Sequence, residues 1–290
     1  MPSPRALLQL ARPKQWVKNL LVFAAPGAAG VLTQATPFLK TSVAFVALCL
    51  AASGTYAWND ARDAEADRRH PKKCNRPVAA GTVSVTQAEV FGAVLFLLAI
   101  AVSLLASVAL LTTVVLYVAL TLAYSLRLKH EPVLDLATVA ACYVIRAVAG
   151  ATATNVRVST WFLIVAAAGS LFVVTGKRSA EVLRLGPDAA HHRRALAGYT
   201  HEFLLYVRGV STSVAILAYC LWAFEFSAQT GNSVWFESSI VPFVIGLLRY
   251  SLLLEAGEGG APEDLLLSDP VLVTVGVAWV VVFGIAVYYK

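Results

Sequence analysis

Apolar runs long enough to cross a lipid bilayer recur along the whole of this sequence, and they constrain its fold more than any other feature. A transmembrane helix needs on the order of 17 to 25 predominantly apolar residues. Nine runs of about this length lie near residues 17–32, 40–58, 89–107, 108–126, 133–153, 159–176, 208–228, 239–254 and 269–289. Only 14% of the residues are charged, whereas a soluble domain usually carries about 25%. The sequence therefore predicts an all-α, polytopic membrane protein with nine transmembrane helices and one domain over residues 1–290.

The distribution of Lys and Arg predicts the orientation of these helices. If the N-terminus lies inside, 19 of the 23 basic residues fall on the inner side, 3 fall on the outer side, and Arg146 lies within the fifth run. Short loops rich in Lys and Arg stay cytoplasmic, so we predict a cytoplasmic N-terminus. The net charge of +6 also indicates anionic partners such as lipid or phosphate. Nucleic acid is not expected, because the basic residues do not form a stripe with interleaved aromatic residues.

Four oxygen-bearing side chains follow the second run, namely Asn59, Asp60, Asp63 and Asp67. On a continuing helix they would lie within roughly a 100° arc of one face. Carboxylates crowded on one face repel one another unless a cation lies among them, and hard oxygen ligands suit Mg²⁺ shared with substrate phosphates. The alternative is a solvated face whose acids and bases pair with one another. We predict that the three aspartates are catalytic and form a metal site together with Asn59.

Three further inner segments carry basic side chains suited to phosphate contacts. The segments are RPKQWVKNL near the N-terminus, YSLRLKHEP after the fourth run and TGKRSAEVLRLG after the sixth. Each has a simpler alternative, which is membrane anchoring for the first two and an i, i+4 ion pair for the third. Arg146 is expected to line a cavity, because a charge within a span is costly and usually faces a polar interior. The predicted phosphate contacts are Lys14, Lys18, Tyr124, Arg127, Lys129, Arg146, Lys177, Arg178, Glu181 and Tyr199.

The stretch NDARDAEAD, from Asn59 to Asp67, matches the N-D-x-x-D-x-x-x-D signature and resembles the UbiA superfamily of intramembrane prenyltransferases. The apolar runs with inner-side motifs are similar to that family along the whole chain. The resemblance implies helices around a central cavity that opens to the cytoplasmic side. It also implies Mg²⁺ as the cofactor, a polyprenyl lipid as a substrate, and a multi-pass location in the bacterial inner membrane with the active site facing the cytoplasm.

The sequence departs from the family after the sixth run, where the usual second aspartate cluster is absent. Gly176, Lys177, Arg178 and Glu181 stand there instead, and bases suit a bare phosphate better than a second Mg²⁺. One branch of the family transfers 5-phosphoribosyl from phosphoribosyl diphosphate (PRPP) to decaprenyl phosphate on the path to cell-wall arabinan. The stretches RPKQWVKNLLVFAAP and GKRSAE resemble that branch. The resemblance implies PRPP as donor, decaprenyl phosphate as acceptor and an Mg²⁺-dependent pentosyltransferase, and it is compatible with a homo-oligomer.

Two other functions fit parts of the pattern. An ordinary prenyltransferase of the same fold would attach a polyprenyl chain from its diphosphate to an aromatic or other acceptor. It accounts for the aspartates but leaves Lys177 and Arg178 unexplained. A transporter would line an anion pathway with charges near the bilayer midplane, whereas the polar groups of this chain gather on one side.

Overall fold

The structure, a computed structural model, describes residues 2–70, 73–185, 194–230, 233–257, 265 and 268–289. All regular secondary structure within these residues is helical, without any strand. The α-helices are α1 (Pro4–Ala11), α2 (Ala24–Ala28), α3 (Ala35–Arg62), α4 (Ala64–Arg68), α5 (Val85–Leu104), α6 (Val108–Leu126), α7 (Leu134–Thr154), α8 (Thr160–Leu185), α9 (His201–Thr230), α10 (Ser233–Ser238), α11 (Ile240–Glu255) and α12 (Pro270–Tyr288). The 3₁₀ helices are Pro13–Phe23, Lys73–Asn75, Leu128–His130 and Arg194–Gly198.

Eight helical segments of the described chain are long and apolar enough to cross a membrane. They are Ala35–Arg62, Val85–Leu104, Val108–Leu126, Leu134–Thr154, Thr160–Leu183, His201–Gln229, Val234–Glu255 and Pro270–Tyr288. Each corresponds to a predicted run, but the count of nine is not confirmed.

The run predicted near residues 17–32 does not form one membrane-length helix. It is built from the 3₁₀ helix Pro13–Phe23 and the short α2. Pro26 cannot donate a backbone hydrogen bond, which disfavours a continuous α-helix at that point. The segment instead packs backbone to backbone against α7, because a Cβ atom added at Gly150 would lie 1.7 Å from the carbonyl oxygen of Val22. Only glycine permits this approach.

The chain forms two compact units. The first comprises Met1–Gly27, Val31–Leu126 and Ile145–Val156. The second comprises Ala28–Gly30, Arg127–Val144 and Arg157–Lys290. The helix α7 contributes residues to both units, and the prediction of a single catalytic domain stays a prediction.

The first unit is organised around α3, which packs against α1, the 3₁₀ helix Pro13–Phe23, α5 and α6. The buried side of α3 is rich in alanine, with Ala44, Ala47 and Ala51 fully buried. Small side chains let membrane helices approach closely. The two backbones come close at Gly54, where a Cβ atom would lie 3.0 Å from the carbonyl oxygen of Gly92 on α5. This packing fixes the end of α3, which carries the predicted aspartates.

In the second unit, α8 and α9 pack along each other, and α11 packs against α12. Aromatic side chains form one of its cores. There the Tyr219 hydroxyl accepts a hydrogen bond from Trp279 at 2.8 Å and shares a second hydrogen bond with the Ser239 hydroxyl at 2.8 Å. Asp269 caps the N-terminus of α12 by accepting a hydrogen bond from the Leu272 amide. Hydrogen bonds from Arg249 are the main reason that the pKa of the Asp269 carboxyl is lowered.

Candidate active site

The predicted aspartates lie where α3 meets α4. The helix α3 ends at Arg62, and Asp63 forms the turn between the two helices with φ −90° and ψ 5°. Helical hydrogen bonding continues through this turn, because the Asp63 amide donates to Asn59 and the Asp67 amide donates to Asp63. The backbone therefore keeps the four-residue spacing that the sequence predicted, even though two helices replace one.

Two arginines bind the aspartates, and we call Asp60, Asp67, Arg12 and Arg76 the aspartate corner. Asp60 and Asp67 are 1% and 3% exposed. Nη1 of Arg76 lies 3.1 Å from Oδ1 of Asp60 and 2.6 Å from Oδ2 of Asp67, while Nη2 of Arg12 donates to Oδ1 of Asp60. Lys73 approaches Asp67 at 4.0 Å. The aspartate charges are thus balanced by side chains of the same unit.

One oxygen of this corner remains available. Oδ2 of Asp60 is buried and has no hydrogen-bond partner among the described residues. A buried carboxylate oxygen is normally satisfied, so an orphan of this kind suits a ligand. Within the described residues, no group of three His, Cys, Asp or Glu side chains is placed to hold a metal ion. Mg²⁺ is usually bound through one or two carboxylates plus substrate phosphates, and the donor set fits that mode.

Lys14 and Lys18 lie on the 3₁₀ helix Pro13–Phe23 instead of on an α-helix. With about three residues per turn, positions four apart do not stack on one face of this helix, so Lys14 and Lys18 do not share a face as they would on an α-helix. Lys14 is exposed, and Lys18 is half-buried and donates to the side chain of Gln15 at 2.5 Å.

The residues of the YSLRLKHEP segment lie at the end of α6 and in the turn after it. Tyr124 is half-buried on the last turn of α6. Arg127 is exposed at the start of the 3₁₀ helix Leu128–His130, and Lys129 within that helix is half-buried. Arg127 therefore presents its charge at the surface, where a phosphate group can reach it.

Arg146 lies in a polar cluster inside the first unit and is 6% exposed. Its Nε donates to Asn19 at 2.9 Å and its Nη2 donates to the Tyr117 hydroxyl at 2.7 Å, with the guanidinium carbon 5.0 Å from the Tyr117 ring centre. Cation–π and hydrogen-bond contacts of this kind offset the cost of burying a charge. Arg146 thus faces a polar interior, as expected for a charge within a span.

The GKRSAE stretch brings together a second group, and we call Arg178, Asp135 and Glu181 the arginine corner. Nε and Nη2 of Arg178 donate to the two oxygens of Asp135 at 2.6 and 3.1 Å, and Nη1 donates to Glu181 at 2.8 Å. Arg178 is 4% exposed and Asp135 is fully buried. Lys177 is half-buried beside them. Because Lys177 is more accessible than Arg178, it is the better candidate of the two predicted bases for a phosphate contact.

Tyr199 is 6% exposed and packs in a core with Leu136, Val174 and Leu204. Its hydroxyl accepts a hydrogen bond from the Val133 amide at 2.8 Å. Val133 has a positive φ of 66°, which is rare for a β-branched residue. Tyr199 thus supports an unusual turn at the start of α7.

Sequence reasoning did not assign Arg12, Arg76 or Asp135 to these clusters. The Arg12–Asp60 contact joins residues 48 apart, and the Asp135–Arg178 contact joins residues 43 apart. Asp135 carried a usable signal, since an ionisable residue inside a span normally pairs with another. Arg76 follows the aspartates in the same loop, which favours contact with them.

Comparisons with known proteins agree with this architecture. The UbiA prenyltransferase family matches residues 20–269. Decaprenyl-phosphate phosphoribosyltransferase from Corynebacterium glutamicum is 43% identical over 288 residues, covering 97% of this chain and 86% of that protein. The protein of the same name from Mycobacterium tuberculosis is 42% identical over 287 residues, covering 98% and 94%.

The fold also matches solved structures. A UbiA homolog from Archaeoglobus fulgidus bound to DMAPP and Mg²⁺ superposes with a TM-score of 0.74, at 16% identity and covering 97% of this chain and 98% of that one. At this identity the likeness shows the fold alone, which is the all-helical UbiA fold. The sequence match over residues 20–269, together with these full-length relatives, shows that this chain belongs to the UbiA prenyltransferase family.

Proposed function

We propose that this chain transfers the 5-phosphoribosyl group of PRPP to decaprenyl phosphate, giving decaprenylphosphoryl-5-phosphoribose and diphosphate. The observation that carries the proposal is the 42–43% identity, over at least 97% of the chain, to proteins named decaprenyl-phosphate phosphoribosyltransferase. The GKRSAE stretch supports it, because bases in place of a second aspartate cluster suit a phosphate that needs no metal. PRPP carries a diphosphate at one end and a 5-phosphate at the other, so it requires both an aspartate site for a metal and a basic site for a phosphate without a metal.

The aspartate corner is assigned to the diphosphate of the donor. Asn59, Asp60, Asp63 and Asp67 supply oxygen ligands, and Asp60 keeps a buried oxygen without a hydrogen-bond partner in the described chain. Mg²⁺ bound there would neutralise the charge that develops on the departing diphosphate. The leaving group would be held through the metal, and the burial of Asp60 and Asp67 would keep water away from it.

The acceptor needs no strong base, because a lipid phosphate is already an anion near neutral pH. One of its oxygens forms a bond to C1 of the ribosyl group, while the bond from C1 to the diphosphate oxygen breaks and the electron pair leaves with the diphosphate. Basic side chains align the two anions and offset their repulsion. The candidates are Lys14, Lys18, Tyr124, Arg127, Lys129 and Lys177.

The location of the reaction follows from the charge distribution. The predicted inner segments carry 19 basic residues against 3 on the outer side, which favours a site facing the cytoplasm of a bacterial inner membrane. PRPP is a soluble anion and would reach such a site directly. The product would then feed cell-wall arabinan synthesis.

The direct test incubates purified protein with Mg²⁺, PRPP labelled in the ribose and decaprenyl phosphate, and follows the label into the lipid phase. Label should appear in the lipid and should be lost when Mg²⁺ is chelated. Absence of label, together with turnover of a polyprenyl diphosphate and an aromatic acceptor, would overturn the proposal in favour of an ordinary prenyltransferase. Uptake of a substrate into sealed vesicles without covalent change would instead indicate a transporter.

A further inference from the structure

Arg12 and Arg76 already supply the aspartate corner with cations. Two guanidinium groups lie against two carboxylates, and Lys73 adds a third positive charge 4.0 Å from Asp67. A bare divalent cation would therefore compete with bound guanidinium groups at Asp60, in a corner that carries no excess of negative charge. A diphosphate would meet basic groups that can bind it.

The two arginines are held differently. Arg76 bridges both aspartates. Arg12 reaches Asp60 and lies over the ring of Tyr56, with its guanidinium carbon 5.0 Å from the ring centre. If another ligand binds Asp60, the guanidinium of Arg12 can keep its cation–π contact with the ring. Arg12 can thus leave Asp60 and keep its contact with the Tyr56 ring, whereas Arg76 is held by both aspartates.

The backbone on both sides of Arg12 is anchored independently of its guanidinium. The Ser53 hydroxyl on α3 donates to the carbonyl oxygen of Ala11 at 2.9 Å and accepts from Nε1 of Trp16 at 3.0 Å. Arg12 itself has φ 53° and ψ 62°, a left-handed conformation at the junction of α1 and the following 3₁₀ helix. A non-glycine residue is held in this region only when its surroundings fix it. The guanidinium can therefore change partner while the backbone stays in place.

We propose that Arg12 is a resident cation that occupies Asp60 until a diphosphate arrives, so that the metal enters with the diphosphate and not alone. When the diphosphate binds, the guanidinium of Arg12 exchanges the Asp60 oxygen for phosphate oxygens, and Asp60 becomes available to the metal. This inference rests on the proposed assignment of the aspartates to Mg²⁺ and a donor diphosphate. It adds Arg12 to the substrate-binding residues and fixes the order in which the ligands bind.

The test measures metal and diphosphate separately on full-length protein in detergent. Binding of Mn²⁺ alone, as a spectroscopic probe for the Mg²⁺ site, is followed by loss of its free electron paramagnetic resonance signal. Retention of radiolabelled inorganic diphosphate in the presence of Mn²⁺ is followed by equilibrium dialysis. Wild-type protein should bind Mn²⁺ weakly alone and should retain diphosphate when Mn²⁺ is present.

Arg12→Gln should shift the two affinities in opposite directions. Loss of one charge-assisted hydrogen bond corresponds to roughly tenfold, so Mn²⁺ alone should bind roughly tenfold more tightly and diphosphate roughly tenfold more weakly. Damage to the fold would weaken both, so the opposite signs separate the proposed role from a structural one. Arg5→Gln, which removes an exposed arginine of α1 outside the corner, should leave both affinities at wild-type values.

Two results would overturn the inference. One is wild-type protein that binds Mn²⁺ as tightly alone as with diphosphate, and the other is Arg12→Gln with unchanged Mn²⁺ binding. If Arg12→Gln does not fold, Arg12→Lys keeps the charge without the forked donors; it should weaken diphosphate retention alone, and wild-type values would count against Arg12. Opposite shifts in a protein that transfers no ribosyl label would retain the role of Arg12 and reject the proposed function. Transfer of ribosyl label by the wild type, together with unchanged Mn²⁺ binding in Arg12→Gln, would support the proposed function and reject the role of Arg12.

Discussion

Two clusters of arginine and carboxylate side chains, one in each compact unit, differ in how completely their polar atoms are used. In the arginine corner, Nε, Nη1 and Nη2 of Arg178 all donate to carboxylates, and both oxygens of Asp135 accept. In the aspartate corner, one oxygen of Asp60 is buried without a hydrogen-bond partner in the described chain. The same residue types thus build a closed cluster in one unit and an open one in the other.

This difference distinguishes a cluster that stabilises the fold from a cluster that can bind a ligand. A fully satisfied buried ion pair resists any ligand, because the ligand would have to replace contacts that are already good. A cluster with an unused acceptor gains from a ligand that fills it. The aspartate corner is therefore the better place for chemistry, and the arginine corner is the better place to hold α7 against α8.

The largest expected effect is on stability, in Arg178→Met. The substitution leaves Asp135 buried without its guanidinium, and removing one partner of a buried pair costs about 3–5 kcal/mol of unfolding free energy. The melting temperature in detergent should fall clearly. The double variant Arg178→Met/Asp135→Leu removes both charges and should recover most of the loss. A single variant as stable as the wild type would mean that the arginine corner is not a scaffold.

Asp60→Asn should act on the reaction instead. The change keeps the shape of the side chain but weakens the ligand that would hold Mg²⁺, so the departing diphosphate would lose charge neutralisation that is worth roughly 10²- to 10³-fold in rate. The turnover of ribose-labelled PRPP measures this loss. The melting temperature should change less than in Arg178→Met, because Arg76 keeps its contact with Asp67. Wild-type turnover in Asp60→Asn would remove the aspartate corner from the mechanism.

A smaller effect is expected beside the arginine corner, in Lys177→Ala. Loss of one charge-assisted contact should raise the KM for a phosphate-bearing substrate roughly tenfold, with little change in melting temperature. Lys40→Ala, at a basic residue outside the predicted sites, is the matched control. Unchanged KM values for both PRPP and decaprenyl phosphate would return Lys177 to the helical ion pair that the sequence also allowed.

The sequence was sufficient for features that depend on local spacing. Eight membrane-length helices coincide with predicted apolar runs, and the spacing of Asn59, Asp63 and Asp67 is kept by helical hydrogen bonds through the α3–α4 turn. Hydropathy alone did not reveal that the first run would adopt a 3₁₀ helix, since that depends on Pro26 and on the close contact with Gly150. Spacing also could not show that Arg12 would reach Asp60, because that contact exists only after α1 packs on α3.

The smallest expected effect belongs to Tyr199→Phe. This variant tests whether the buried neutral hydrogen bond of Tyr199 stabilises the fold, like the arginine corner, or belongs to a ligand site, like the aspartate corner. The variant leaves the Val133 amide without its acceptor, in a turn where the Leu134 amide donates to the carbonyl oxygen of Pro132 at 2.7 Å and Val133 has φ 66°. Loss of one neutral hydrogen bond costs about 1 kcal/mol, so the melting temperature should fall slightly. If Tyr199 supports the turn alone, KM for both substrates should stay at wild-type values. The sequence prediction that Tyr199 contacts substrate requires a higher KM instead, and that result would place the tyrosine with the ligand-binding residues despite its burial.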